Sequence, residues 1–304
     1  MKSVYSTLLI VVLSAAICPN LFASDGAKNE PFTVNLWPDG FLGDKAGSKD
    51  VLATSKEGNV TWVTHVDNPS ITIYKTNKAS APTPAIVVCP GGGYRALAFN
   101  TEGTEIAEWL NSIGITVVLL KYRVPKNRTG AFQDAQRAMR ITRYHAKQWG
   151  IDPDHIGMMG FSAGGHLAAR VSTGFQEKIY DPVDSADPLS CRPDFTVLIY
   201  PAYLSQKNFE IADEIKVTQQ TPPAFILQTQ QDKDYRDSSI AYYIAMTKAS
   251  VPAELHLFEK GKHGFSLRLK DRPVSIWPKL CEAWIKSTHM TKQTPIEANV
   301  KKDK

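Results

Sequence analysis

Short apolar runs and amphipathic stretches alternate along most of the chain. Ala85–Cys89, Ile115–Leu120, Ile156–Met159, Phe195–Tyr200, Ala224–Leu227 and Ala253–Phe258 have the length and character of strands. The segments between them carry helical spacing. Ile106, Trp109, Leu110 and Ile113 share one side of residues 104–113. A longer amphipathic pattern covers 131–149 and meets Gly150, a residue suited to a helix C-cap. Two further helices are expected over 238–249 and 275–286. Pro278 falls in the first turn of the latter, where its missing N–H has no intrahelical partner to lose. Apolar strands separated by helices predict a mostly parallel central sheet with helices on both faces. Upstream, 61–66 and 71–76 are expected to pair antiparallel at the leading edge of that sheet. There is no internal repeat and no low-complexity linker, so residues 24–288 are expected to form a single α/β domain.

The two ends read differently. Lys2, the apolar run Leu8–Ile17 and the small-residue site Leu21-Phe22-Ala23 have the layout of a secretory signal peptide over residues 1–23. The run is short for a transmembrane helix, and no later segment is long and apolar enough. A lipoprotein reading through Cys18 is disfavoured by Ile17 before it. The expectation is export to the periplasm or the medium, with no transmembrane segment in the mature chain. Residues 289–304 are polar and are expected to form a disordered tail. The net charge of +5 is small and dispersed, which does not describe a nucleic-acid surface. Beyond the leader, Cys89, Cys191 and Cys281 remain. An odd number is not a disulfide framework. Cys281 shares a helix face with Trp277, Leu280 and Trp284, as a buried small hydrophobe would. A Cys89–Cys191 bridge stays open. No Cys/His group has zinc-ligand spacing, and no metal or cofactor is expected.

One stretch changes the picture from fold to chemistry. Gly160-Phe161-Ser162-Ala163-Gly164-Gly165 follows an apolar strand and leads into a helix-like segment. This is the context of a nucleophile elbow, in which small flanking residues let strand and helix approach and the serine stands exposed at the strand's carboxyl end. The competing reading is a tight Gly-rich turn with no chemistry.

The rest of the chain supplies what a nucleophilic serine needs. Its hydroxyl requires a base, and the base an orienting acid. In the α/β-hydrolase order these follow as Ser, acid, His. His263 lies in Gly261-Lys262-His263-Gly264, just beyond the last expected strand. Asp232 and Asp234 compete for the acid in the loop after Ala224–Leu227; Asp232 is favoured, leaving Asp234 as a capping or solvated carboxylate. The oxyanion needs backbone donors. Ala163 is expected to give one, and Gly91 and Gly92 of Pro90-Gly91-Gly92-Gly93-Tyr94 the other; Gly93 and Tyr94 are expected to line the substrate pocket. That glycine loop has neither the Lys-Ser/Thr of a P-loop nor G-x-G-x-x-G spacing.

These segments together resemble the α/β-hydrolase serine esterases of the bacterial acetylxylan-esterase-like and feruloyl-esterase-like (BD-FAE-like) group. Cys89–Tyr94, Lys121–Pro125, Gln133–Arg137, Trp149–Pro153, Gly160–His166 and Gly261–Phe265 carry the resemblance, which extends over nearly the whole mature chain. It implies hydrolysis of carboxylic esters, often acyl groups on plant or algal polysaccharides. One departure stands out: the acid loop commonly begins with His and carries an Asp-Asp pair, whereas here Gln228 and Gln231-Asp232 stand in those places. Arg123, Asp134 and Arg137 read as structural braces.

Loop composition bears on the substrate. Pro201–Pro223 is short and polar, unlike an apolar lipase lid, so no large lid domain is expected. The Gly174–Pro193 connection, with Tyr180, Asp181, Asp184 and Asp187, is expected to form one wall of the site. The leading expectation is a secreted serine esterase removing acetyl or other small acyl groups from carbohydrate. The alternatives are a general carboxylesterase or lipase-like enzyme, a prolyl-peptidase-like hydrolase, and a non-catalytic carbohydrate-binding protein on the same fold.

Overall fold

The computed structural model of the protein describes residues 30–38, 51–55 and 59–289. The leader expected over 1–23 lies outside these, as does the tail expected over 289–304 except His289, which ends the last helix. Among the described residues the main sheet has eight strands. In spatial order they are β1 (Phe32–Asn35), β4 (Ser70–Tyr74), β7 (Thr116–Lys121), β5 (Thr83–Cys89), β8 (Ile151–Phe161), β9 (Thr196–Ile199), β10 (Ala224–Thr229) and β11 (Ala253–Phe258). Pairing is antiparallel between β1 and β4 and between β4 and β7, and parallel from β7 to β11.

Alternation along the central strands divides the core. On β5, Ile86 and Val88 face α1 (Glu105–Ser112) and α6 (Trp277–His289). Ala85, Val87 and Cys89 face α2 (Arg128–Tyr144), α4 (Ala163–Gly174) and α5 (Arg236–Lys248). Both faces are apolar because both are covered, which is why these strands read as continuous apolar runs. The strand order reverses at β5, which lies between β7 and β8. The carboxyl ends of β5 and β8 therefore open onto a crevice where the connections diverge.

Two expectations are corrected. The segments 61–66 and 71–76 are not a pair. β3 (Val60–His65) joins β2 (Val51–Ser55) and β6 (Leu97–Ala98) in a separate three-stranded sheet, while β4 pairs with β1 and β7. The turn between them sends the chain apart: the Val66 amide donates to Val124 O, and Pro69 O accepts from Leu36 N–H. The helix expected over 131–149 is two pieces. The first is α2, entered earlier at Arg128, where the Asn127 side chain accepts from the Gly130 amide at 2.8 Å. The second is α3 (Ala146–Trp149), which ends at Gly150 with φ 73°, the left-handed cap its glycine permits. The three cysteines are buried and free, and Cys191 Sγ points to Phe175 O, so no Cys89–Cys191 bridge forms.

Among the described residues no helix is long and apolar enough to cross a membrane.

Candidate active site

The crevice is organised around Ser162, which joins β8 to α4. Its backbone has φ 51° and ψ −118°, a strained conformation for a non-glycine residue. The close approach leaves no room for side chains beside it. A Cβ on Gly160 would lie 2.1 Å from Gly164 O, and one on Gly164 would lie 2.0 Å from Cys89 O. The sharp turn puts the serine hydroxyl at the end of the sheet and Ala163 at the first position of α4.

Three loops converge on that hydroxyl. His263, beyond β11, places Nε2 2.7 Å from Ser162 Oγ. Its Nδ1 lies 2.6 Å from Oδ2 of Asp232, beyond β10. Asp232 is 4% exposed, while Asp234 lies on the surface and makes no hydrogen bond to the ring. The two glutamines that distinguish this acid loop have definite partners. Gln228 is fully buried and bridges the Thr229 amide and Tyr235 O. Gln231 Oε1 accepts from the Gly261 amide at 3.1 Å, which ties the acid loop to the histidine loop.

The glycine loop after β5 lies on the other side of Ser162. Here one expected donor is corrected. The Gly91 amide donates to Glu102 Oε2 at 2.7 Å and is not free to meet a substrate oxygen. Gly92 and Gly93 line the pocket, and their amides and that of Ala163 have no hydrogen-bond acceptor among the described residues. Tyr94 does not line the pocket as expected. It is buried behind the loop, and its hydroxyl meets His166 Nδ1 at 2.7 Å.

Glu102, absent from the expected set, sits in a π-helical turn (Asn100–Thr104) just before α1. It is buried beside Ser162 and accepts a second bond, from Tyr200 OH at 2.8 Å. Burial pushes its carboxyl above the usual range, against the pull of those two donors and of nearby His263.

The pocket above Ser162 has a volume of about 560 Å³. Its walls are Trp62 from β3, Arg95, Tyr203 and Tyr235. Tyr203 and Tyr235 meet edge to face with centroids 5.3 Å apart, and Tyr235 lies 4.8 Å from the His263 ring. The Gly174–Pro193 connection contributes none of this wall. Instead Asp184 and Asp187 clamp buried Arg137 of α2, because a guanidinium 2% exposed requires counter-charge. Arg123 pairs with fully buried Asp134, which also accepts from the Trp37 indole at 2.7 Å. Among the described residues no three His, Cys, Asp or Glu side chains converge to hold a metal ion.

Fold and site together define an α/β hydrolase with a serine elbow. The BD-FAE family profile matches residues 71–199. An acetylxylan esterase of Xylanibacter ruminicola is 34% identical over 207 residues, 60% of this chain and 41% of that protein. The structure of an acetyl ester-xyloside bifunctional hydrolase from Caldicellulosiruptor lactoaceticus is 33% identical, with a TM-score of 0.70, over 84% of this chain and 96% of that one. The structure of MGS-M1, an α/β hydrolase from a Medee basin deep-sea metagenome, is 27% identical with a TM-score of 0.61, over 80% and 99%. The chain belongs to the BD-FAE family of α/β-hydrolase esterases. It matches less than half the length of the curated relatives, 41% of the Xylanibacter protein and 32% of a Butyrivibrio fibrisolvens endo-1,4-beta-xylanase B.

Proposed function

We propose that this chain is an exported serine esterase that removes acetyl or other small acyl groups from carbohydrate. The hydrogen-bonded series Ser162, His263, Asp232 is the observation that carries the reaction class. Ser162 Oγ attacks the ester carbonyl while His263 Nε2 takes its proton. Asp232 holds the other ring nitrogen and stabilises the imidazolium. The amides of Gly92 and Ala163 receive the oxyanion. Collapse breaks the bond to the alcohol oxygen, which takes the proton from His263. Water, deprotonated by the same ring, then attacks the acyl-serine and releases the acid.

The substrate reading draws on the pocket and on the relatives. An open cleft with aromatic walls and a charged rim suits a short acyl group on a bulky polar alcohol. The names of two relatives, an acetylxylan esterase and an acetyl ester-xyloside hydrolase, point the same way. Export rests on the leader-like character of residues 1–23.

The test is a substrate profile of the purified protein. 4-Nitrophenyl esters of rising chain length, acetylated xylan and a feruloylated sugar are compared. Acetyl esters are expected to be preferred and acetate to be released from xylan. Preference for long acyl chains would contradict the sugar-acetate reading and favour a general carboxylesterase.

A further inference from the structure

The triad and the oxyanion donors leave one buried ionisable group beside Ser162 without a role. Glu102 is 4% exposed, and burial of a carboxylate is unfavourable unless its oxygens are matched. Both are. Oε2 accepts from the Gly91 amide at 2.7 Å and Oε1 from Tyr200 OH at 2.8 Å. The phenol is itself an acceptor, for the Ser266 amide at 3.0 Å, so its own proton is directed at Glu102. A glutamine would put an NH₂ group against one of these donors. The carboxylate accepts from both with one oxygen each, whereas a glutamine has only one oxygen to offer.

The two donors belong to different parts of the machinery. Gly91 opens the loop whose next residue, Gly92, faces the pocket. Ser266 lies three residues beyond His263 and is anchored again by its hydroxyl on Thr101 O and by the Trp277 indole on its carbonyl. Tyr200, between them, has φ 38°, is fully buried, and packs edge-on to the His263 ring at 5.2 Å between centroids. A strained residue held in place by several bonds is characteristic of a position that geometry has to fix.

We propose that Glu102 is a positioning residue that sets the oxyanion loop and the histidine loop against each other through Gly91 and Tyr200. The proposal rests on the Ser162 esterase reading above. With the Gly91 amide held, the Gly92 amide is turned toward the developing oxyanion. With Ser266 held, the His263 ring stays in register with Ser162. The carboxylate also attracts the imidazolium that forms when His263 takes the proton.

The test compares wild type, Glu102→Gln, Tyr200→Phe and Ser162→Ala on 4-nitrophenyl acetate, with kcat and KM measured separately for each. Glu102→Gln is expected to lower kcat about 10- to 100-fold with KM little changed, as for loss of an oxyanion contact. Tyr200→Phe removes the bridge between Glu102 and Ser266, so kcat falls with KM little changed. A folded Glu102→Gln variant with kcat within twofold of wild type, or one that loses through KM alone, would overturn the proposal. Should Glu102→Gln not fold, an undiminished kcat in Tyr200→Phe overturns it. Wild-type hydrolysis that Ser162→Ala abolishes supports the esterase reading whatever Glu102→Gln does. An inactive wild type would overturn that reading, and the proposal with it.

Discussion

Nδ1 of His263 lies 2.6 Å from Oδ2 of Asp232, whereas Asp234, two residues on, makes no hydrogen bond to that ring. The two carboxylates share a loop but not an environment: one is buried against the imidazole and the other is exposed. Asp232→Asn replaces an acceptor with an amide that cannot hold the same tautomer. It is expected to lower kcat by about 10³–10⁴-fold. Asp234→Asn is expected to stay within about threefold of wild type, as an exposed change away from the reacting groups. Steady-state kinetics on 4-nitrophenyl acetate distinguishes the two, and equal mild losses would contradict the assignment.

Trp62 reaches the pocket from the small sheet, away from Ser162's own strand. A flat ring at the rim serves a large alcohol more than a small one. Trp62→Ala is expected to raise KM for acetylated xylo-oligosaccharides about tenfold and to change KM for 4-nitrophenyl acetate by less than about threefold. Equal changes for both would show that Trp62 shapes the site and does not hold the sugar.

Asp134 is enclosed with Arg123 and the Trp37 indole, far from any reacting atom in its contacts. Asp134→Ala removes the carboxylate that pairs with the Arg123 guanidinium and accepts from the Arg123 amide and the Trp37 indole; Arg123 Nη2 keeps only the neutral acceptors Gly130 O and Gln133 Oε1. A loss of about 3–5 kcal/mol of stability is expected. Urea unfolding reads this as a lower midpoint at unchanged slope. A loss under about 1 kcal/mol would mean that the pair is not a brace.

His166, at the end of the Gly160–His166 motif, is 1% exposed between Tyr94 OH and Glu214. Burial pushes its imidazole down from 6.5 to about 4. The unfolded chain therefore binds a proton more readily than the folded one. The contribution is fully present above pH 6.5 and is lost as pH falls toward 4. His166→Asn removes the titration. Between about pH 7.5 and pH 4.5 wild type should lose about 1–3 kcal/mol more than the variant. Parallel stability curves would contradict this account of His166.

The parts of the site legible in the sequence were those with local demands. A strained serine needs small neighbours on both sides, and a parallel sheet fixes the order in which acid and base follow. Those requirements leave marks at Gly160, Gly164, Asp232 and His263. Glu102 leaves none, because its partners Gly91 and Tyr200, 11 and 98 residues away, meet it only once the fold has formed. The same holds for Trp62, whose strand looks like any alternating segment until its sheet is known. Gly91 shows the limit of reading donors from glycines: the loop was recognisable, but which amide points outward depends on the carboxylate behind it. Asp184 and Asp187 read as a polar pocket wall because their counter-ion, Arg137, lies on another element.

In the proposed function Ser162 is the nucleophile of an ester hydrolase acting on acylated carbohydrate. The most direct test is acetate release from acetylated xylo-oligosaccharides by wild type and by Ser162→Ala, at matched concentration of folded protein. Wild type is expected to release acetate, and the variant to be slower by at least about 10³-fold. Release at comparable rates by both proteins, or none by wild type, would contradict that role.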